Sequence, residues 1–307
     1  MNVAETNIKH IKTAVKEIKN KKPGLEEMLN LYEQIFILQE KTKALISLPE
    51  FTISDEILAL KIKEKFPLVN ISQFQLDYKA SETLLLDIID LMSNKEIKDD
   101  EISNAIKQLS SLIQDGKIIP KELFDSFIKE DESYFEMINE KYQINKEITG
   151  FLVFNSLKPS LISFSEKISP YLENTKWEKG YCPVCGSMPE LSVFEKDGKR
   201  FLICGFCNHK WASKRIYCPF CENTNHETLQ YFSIDDEEEY RVDTCDKCRC
   251  YIKTINTEQT TREIYFPLES HTTQYINAKF DEMGYISGQC EIFNNTKEET
   301  KTMQEQN

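Results

Sequence analysis

The first half of the chain carries apolar positions at helical spacing. Ile8, Ile11, Val15 and Ile18 form one stripe in a basic, polar stretch over 3–20, and Leu25, Met28, Tyr32, Ile35 and Phe36 form a second behind Pro23. Pro23 suits the first turn of a helix, where its missing N–H goes unneeded. Ser54 is placed to cap a helix over 57–66 that Pro67 ends, and Ser81 to cap one over 84–92. The clearest stripe is Ile102, Ala105, Ile106, Leu109, Leu112 and Ile113, closed by Gly116. Pro120 opens a helix to Ile128. A short helix over 135–142 follows, then one over 147–157 capped by Asn145, which Pro159 either kinks or restarts toward Leu172. The stripes read as packing faces. No helical His/Glu pattern, glycine-rich phosphate loop or nucleophile signature interrupts them.

Beyond about residue 180 the period changes. Residues 191–196 and 200–203 alternate like strands around Asp197-Gly198, a hairpin-turn pair. Residues 228–234 and 240–243 repeat the plan around the acidic run 235–239, and strands are expected at 251–255 and 262–266. A helix over 269–283 ends at Gly284, and the polar tail from Asn294 is expected to be disordered.

Cysteines organise this second half. Nine of the ten lie between residues 181 and 250, and eight form the pairs Cys182/Cys185, Cys204/Cys207, Cys218/Cys221 and Cys245/Cys248. Two residues between cysteines let one tight turn aim both sulfurs at a single ion, and two such pairs complete a tetrahedral four-thiolate site. The spacings C-x2-C-x18-C-x2-C and C-x2-C-x23-C-x2-C read as an internal duplication of knuckle, hairpin and knuckle. Spacing leaves open whether the pairs combine in sequence or interleave, and whether the metal is iron or zinc, since both accept four thiolates. The bland role is structural, holding small hairpins together; the sharper one is redox-active iron. A thioredoxin-like dithiol lacks its βαβ context.

Composition narrows the function. The net charge is −13, against a general nucleic-acid binder. No apolar run is long enough to span a bilayer. The first 24 residues lack the apolar core of a secretory signal, so the cysteine pairs read as metal ligands in a reducing cytoplasm. The expected fold is α+β: a helical domain over 1–176, four-cysteine units over 177–215 and 216–267, and a C-terminal helix and tail over 268–307. Cys250 is read as an unpaired thiol or a substitute ligand. His209 and His226 are read as loop residues or donors to the ligands, Trp211 as packing on a knuckle, and the acidic run as a solvated turn or a docking surface for a basic patch.

The motifs Cys182-Pro-Val-Cys-Gly-Ser-Met-Pro189, Leu202-Ile-Cys-Gly-Phe-Cys207 with Trp211 and Arg215, Cys218-x-x-Cys221, Tyr231-Phe-Ser-Ile-Asp-Asp236 and Cys245-Asp-Lys-Cys248 with Tyr251-Ile-Lys253 are similar to those of the formate dehydrogenase accessory proteins of the FdhE type. The resemblance covers roughly 150–288. It implies a helical domain joined to two rubredoxin-like iron knuckles in a cytoplasmic, homodimeric protein; that it is no enzyme is expected from its residues, among which no acid/base pair or nucleophile stands out. It also implies that the protein binds the catalytic subunit of a molybdenum- or tungsten-dependent formate dehydrogenase during maturation. Two features depart from the pattern: Leu268-Glu-Ser-His-Thr-Thr273 replaces an Asp-Asp-Leu-Ala-like helix start, and Cys250 and Cys290 are additional. An iron protein donating electrons to the dehydrogenase and a zinc ribbon bound to nucleic acid or the transcription machinery are the competing classes.

Overall fold

The computed structural model describes residues 3–94, 99–173, 175–235 and 237–288. Cys290 and the tail lie outside the described residues. The chain divides into two compact units, residues 1–53 with 69–170 and residues 54–68 with 171–307.

The first unit is helical: α1 (Val3–Lys21), α2 (Glu26–Lys43), α4 (Tyr78–Ser93), α5 (Asp100–Gln114), α6 (Pro120–Ile128), α7 (Glu132–Tyr142) and α8 (Lys146–Ile168), with α3 (Asp55–Glu64) belonging to the second unit. Pro23 opens a single 3₁₀ turn and α2 starts only after it. The Asn145 carboxamide accepts from the Glu147 N–H as expected. Ser81 is not a cap. Asp77 caps α4 instead, accepting from the Ala80 N–H at 3.1 Å, and Ser81 is buried one turn inside, its hydroxyl 3.3 Å from that of Ser160. A serine and an aspartate four residues apart both satisfy the capping rule, and packing against α8 decides between them.

Helix α8 runs through the middle of this unit, and every residue from Asn155 to Leu161 is buried. Pro159 neither ends nor restarts it. Proline has no N–H to give the carbonyl four residues earlier, that of Asn155. Gln39 of α2 supplies the missing donor, its Nε2 lying 2.9 Å from the Asn155 carbonyl and 3.1 Å from its Oδ1. A Gln39→Leu replacement leaves that buried carbonyl without its outside donor and is expected to cost about 1–3 kcal/mol. Urea titration checks this, and Gln39→Glu at low pH, where the acid is a donor, restores part of the loss.

The second unit is built on one sheet in the order β3-β2-β1-β6-β5-β4, with the two-residue strand β7 (Ile286–Ser287) parallel to the start of β6. Strands β1 (Pro189–Phe194), β2 (Arg200–Cys204) and β3 (Lys210–Ser213) make the first module; β4 (Leu229–Ser233), β5 (Tyr240–Cys245) and β6 (Cys250–Asn256) make the second. Within each module neighbouring strands run antiparallel. The modules join by a parallel pairing of β1 with β6, from Leu191 opposite Lys253 to Phe194 opposite Asn256. The duplication is thus a translation across a shared sheet. One sheet face is closed by Leu191, Val193, Ile203, Tyr240 and Ile255, and Val242 and Tyr251 pack with Ile276, Phe280 and Tyr285.

Two elements differ from expectation. Residues 262–266 form no strand; Phe266 already opens α9 (Phe266–Thr272), with Pro267 in its first turn. The helix expected over 269–283 is two, α9 and α10 (Gln274–Glu282), broken at Thr273. The Thr273 hydroxyl donates to the Glu269 carbonyl at 2.7 Å, offering the backbone an alternative to continuing the helix.

Helix α3 lies inside the range 1–176 but groups with the sheet. Ser54 caps it, accepting from Ile57 N–H at 3.4 Å. The chain beyond α3 lies along the first knuckle: the Leu68 N–H donates to the Pro183 carbonyl at 2.9 Å, and the Tyr181 hydroxyl to the Lys65 carbonyl at 2.6 Å.

Candidate metal centres

One turn is used four times. In each Cys-x-x-Cys pair the N–H after the second cysteine donates to the carbonyl of the first: Gly186 to Cys182 at 2.9 Å, Asn208 to Cys204 at 3.1 Å, Glu222 to Cys218 at 3.0 Å and Arg249 to Cys245 at 2.8 Å. The donating residue always sits in the left-handed region, with φ of +81° at Gly186, +58° at Asn208, +59° at Glu222 and +60° at Arg249. This conformation turns the chain back under the two sulfurs. Gly186 announces it in the sequence; Glu222 and Arg249, whose Cβ atoms make it unfavourable, do not.

The turns bring the eight sulfurs into two groups, Cys182, Cys185, Cys204 and Cys207, and Cys218, Cys221, Cys245 and Cys248, each with its sulfurs within 4.8 Å of one another. The pairs therefore combine in sequence, one group per module, and do not interleave. Sulfur separations are 3.7 Å for Cys182–Cys207, 3.5 Å for Cys185–Cys204, 3.7 Å for Cys218–Cys248 and 3.6 Å for Cys221–Cys245. A disulfide needs about 2.05 Å. Metal–sulfur bonds of about 2.3 Å in a tetrahedron put the sulfurs about 3.8 Å apart, so the groups fit a four-thiolate ion. Donors that would support thiolates are in place: the Cys207 N–H is 3.4 Å from Cys204 Sγ, and Asn223 Nδ2 is 3.5 Å from Cys245 Sγ.

The two groups differ in exposure. All four cysteines of the first are buried, whereas Cys221 and Cys248 of the second are half-buried. Burial pushes the Cys182 and Cys204 thiols well above the ordinary range and Cys221 to about 11, while the hydrogen bond with Cys218 pulls Cys248 down. An ion entering either centre therefore displaces protons, and acid opposes it. Metal release is expected to rise as pH falls. At neutral pH a chelator is expected to empty the second centre before the first. A colorimetric chelator assay should show two phases, the faster one missing from Cys221→Ser protein.

The other expected site residues fall around these groups. Cys250 is buried at the start of β6, its thiol donating to the Cys248 carbonyl at 3.6 Å, outside the four-sulfur group. His209 is half-buried beside the second knuckle and stacks on Trp211 at 6.4 Å between ring centroids; its partial burial lowers its imidazole from the ordinary value. Trp211 is a packing residue whose Nε1 donates to the Lys179 carbonyl at 3.3 Å. His226 is exposed in a single 3₁₀ turn.

Sequence reading missed two buried arginines, because a lone arginine in a strand or loop carries no pattern. Arg200 on β2 donates to the Ser192 hydroxyl at 2.8 Å, the Tyr217 carbonyl at 2.8 Å and Asp243 of β5 at 3.1 Å, tying the modules together. Arg262 grips Glu269 with two bonds of 2.6 and 2.7 Å, reaches the Tyr240 hydroxyl at 2.6 Å and pairs with Glu239 at 3.3 Å. The modules also meet where Gly180 lies against the third knuckle: a Cβ there would fall 1.7 Å from the Pro219 carbonyl oxygen, so no larger residue fits.

Paired four-sulfur groups on one duplicated sheet, with a helical unit beside them in the chain, define a fold with two rubredoxin-like four-cysteine units that could each hold a metal ion. Comparison places it more narrowly. Residues 181–215 match the family model described as "FdhE, central domain". A "Protein FdhE homolog" of Aquifex aeolicus is 35% identical over 117 residues, 37% of this chain and 41% of that protein. "Protein FdhE" of Escherichia coli K12 is 32% identical over 120 residues, 38% of each. The chain thus covers about two-fifths of these relatives' length. The crystal structure of the FdhE protein from Pseudomonas aeruginosa shares the fold, with a TM-score of 0.68 at 16% identity over 91% of this chain and 93% of that one. The chain resembles FdhE-type proteins both in the sequence of its metal-centre segment and in its fold. Among the described residues no helix is long and apolar enough to cross a membrane.

Proposed function

We propose that this protein is a metal-binding accessory factor for the maturation of a formate dehydrogenase. It acts in the cytoplasm as a homodimer and binds the catalytic subunit without catalysing a reaction itself. The observation that carries this is the pair of four-sulfur groups set on one shared sheet in an FdhE-type fold. Such a sheet, held at both knuckle ends by metal, is a rigid surface on which a newly folded subunit can dock. Cys182, Cys185, Cys204 and Cys207 would hold one ion and Cys218, Cys221, Cys245 and Cys248 the other, with iron the favoured metal and zinc the alternative. The ions supply tetrahedral cross-links; the chain supplies the thiolates, the left-handed turns and the N–H donors to sulfur.

Tagged protein purified anaerobically from its own host, with partners identified by mass spectrometry, tests this reading. A formate dehydrogenase catalytic subunit that comes down with the metal-loaded protein and is lost from the chelated protein is the expected result. A preparation with nucleic acid and no dehydrogenase would sink it. A second reading, an iron centre passing electrons to the dehydrogenase, is favoured by the half-buried Cys221 and Cys248, which leave the second centre open to a partner. Reversible ferric–ferrous cycling confined to that centre distinguishes it.

A further inference from the structure

Beside the second centre the sheet unit holds a cleft of about 100 Å³, lined among others by Arg200, Arg215, Arg241, Asp243 and Tyr231 and by the second-centre ligands Cys218 and Cys245. Three guanidinium groups face one carboxylate here, in a chain whose net charge is −13. Arg200 is committed to the framework through Ser192, Tyr217 and Asp243. The other two are not. Arg241 pairs through Nε with Asp243 at 3.0 Å, and its guanidinium is held over the rings of Phe194 at 4.4 Å and Tyr231 at 5.0 Å. Its terminal nitrogens have no acceptor among the described residues. Arg215 is exposed, lies 5.8 Å from the Phe194 ring centre, and makes no ion pair among the described residues. Aromatic stacking fixes a guanidinium's plane while leaving its edge free, which reduces the entropy lost when that edge binds. A planar fork of N–H donors matches a carboxylate, phosphate or sulfate with two parallel bonds.

We propose that this cleft binds a small oxyanion through Arg215 and Arg241, in a frame fixed by Arg200 and Asp243. The volume sets the size. Clefts that hold drug-sized molecules start at about 300 Å³, and this one takes a single phosphate, sulfate or carboxylate group. A thiolate centre holding a divalent ion is itself anionic and shares the field of these arginines, but it offers no acceptor to the open edges of Arg215 and Arg241. The inference stands independently of the proposed role with formate dehydrogenase.

Thermal unfolding of the metal-loaded full chain tests it, in phosphate, sulfate, acetate or formate against chloride at equal ionic strength. A ligand that binds only the folded state raises Tm with its concentration. The expected result is a saturable rise with at least one oxyanion beyond that in chloride. Its apparent affinity should fall about tenfold in Arg215→Gln/Arg241→Gln and be unchanged in Lys199→Gln, on the β1–β2 turn. Arg215→Gln alone, at an exposed position, keeps the fold and should weaken binding severalfold. A response to phosphate or sulfate points to a free tetrahedral anion, and one confined to acetate or formate to a carboxylate; both support the site. Oxyanions that shift Tm no more than chloride, or an Arg215→Gln protein that responds like the wild type, would overturn it.

Discussion

Replacing Cys182 and Cys185 together by serine is expected to release the first ion and unfold the first module. The reason is the small core. Strands β1, β2 and β3 have four to six residues each, and the apolar groups that close one face of the sheet, Leu191, Val193 and Ile203, meet residues of the second module. Structural zinc contributes about 10–16 kcal/mol to folding in zinc-finger peptides, a sum that a hairpin of this size cannot replace. Serine oxygens are poor partners for an ion chosen by soft thiolates. The first centre is also fully buried, so two uncompensated polar hydroxyls would remain inside. The parallel pairing of β1 with β6 should fray with it. Hydrogen exchange on the double variant is expected to show lost protection across β1–β3, partial loss in β6, and native protection in α8. Retained protection in β1–β3 with metal absent would show that packing alone holds the module.

The second large effect is expected at Arg262. Its side chain is 4% exposed and that of Glu269 is 0% exposed. Arg262→Met would leave the Glu269 carboxylate buried with only the Tyr240 hydroxyl as a hydrogen-bond donor from this cluster, and breaking a buried pair in this way costs about 3–5 kcal/mol. Arg262→Met/Glu269→Leu removes that pair's two charges and should recover part of the loss, because the pair had to overcome the desolvation of both groups; the rest stays lost because buried Glu239 still lacks its arginine. Guanidinium chloride titration of the metal-loaded proteins reads the difference. Burial and the neighbouring Glu269 push the Tyr240 hydroxyl far above its ordinary value. The folded-state value is thus raised, so this group's contribution is full below the ordinary tyrosine value of about 10 and declines as pH rises past it. The Tm of the sheet unit is expected to fall on the alkaline side for that reason.

The helices and the metal centres were legible to different degrees and for different reasons. The stripe Ile102, Ala105, Ile106, Leu109, Leu112 marks α5 because one helical face is buried, and Pro120 marks the start of α6. Ser81 misleads because a buried hydroxyl and a capping one look alike in sequence. The sulfurs were legible from spacing alone, since two intervening residues admit one turn. Their combination was not, because spacing is blind to which knuckles share a module. Strand β3 was missed although its counterpart β6 was expected: each follows the second knuckle of its module, and carrying the duplication one strand further would have found it. The shared sheet was not legible, because the β1–β6 pairing joins residues some sixty apart with no turn between them to announce it. The arginine cleft was hidden for the same reason, its residues coming from β2, β5 and the loop before the third knuckle.

The central claim is that each module holds one ion in four thiolates. X-ray absorption at the metal edge of anaerobically purified full-length protein, with metal content measured on the same sample, tests it most directly. Two ions per chain, each with four sulfur neighbours at about 2.3 Å, are the expected result. Nitrogen or oxygen in the first coordination sphere, or fewer than two ions per chain in protein that is folded throughout, would contradict it.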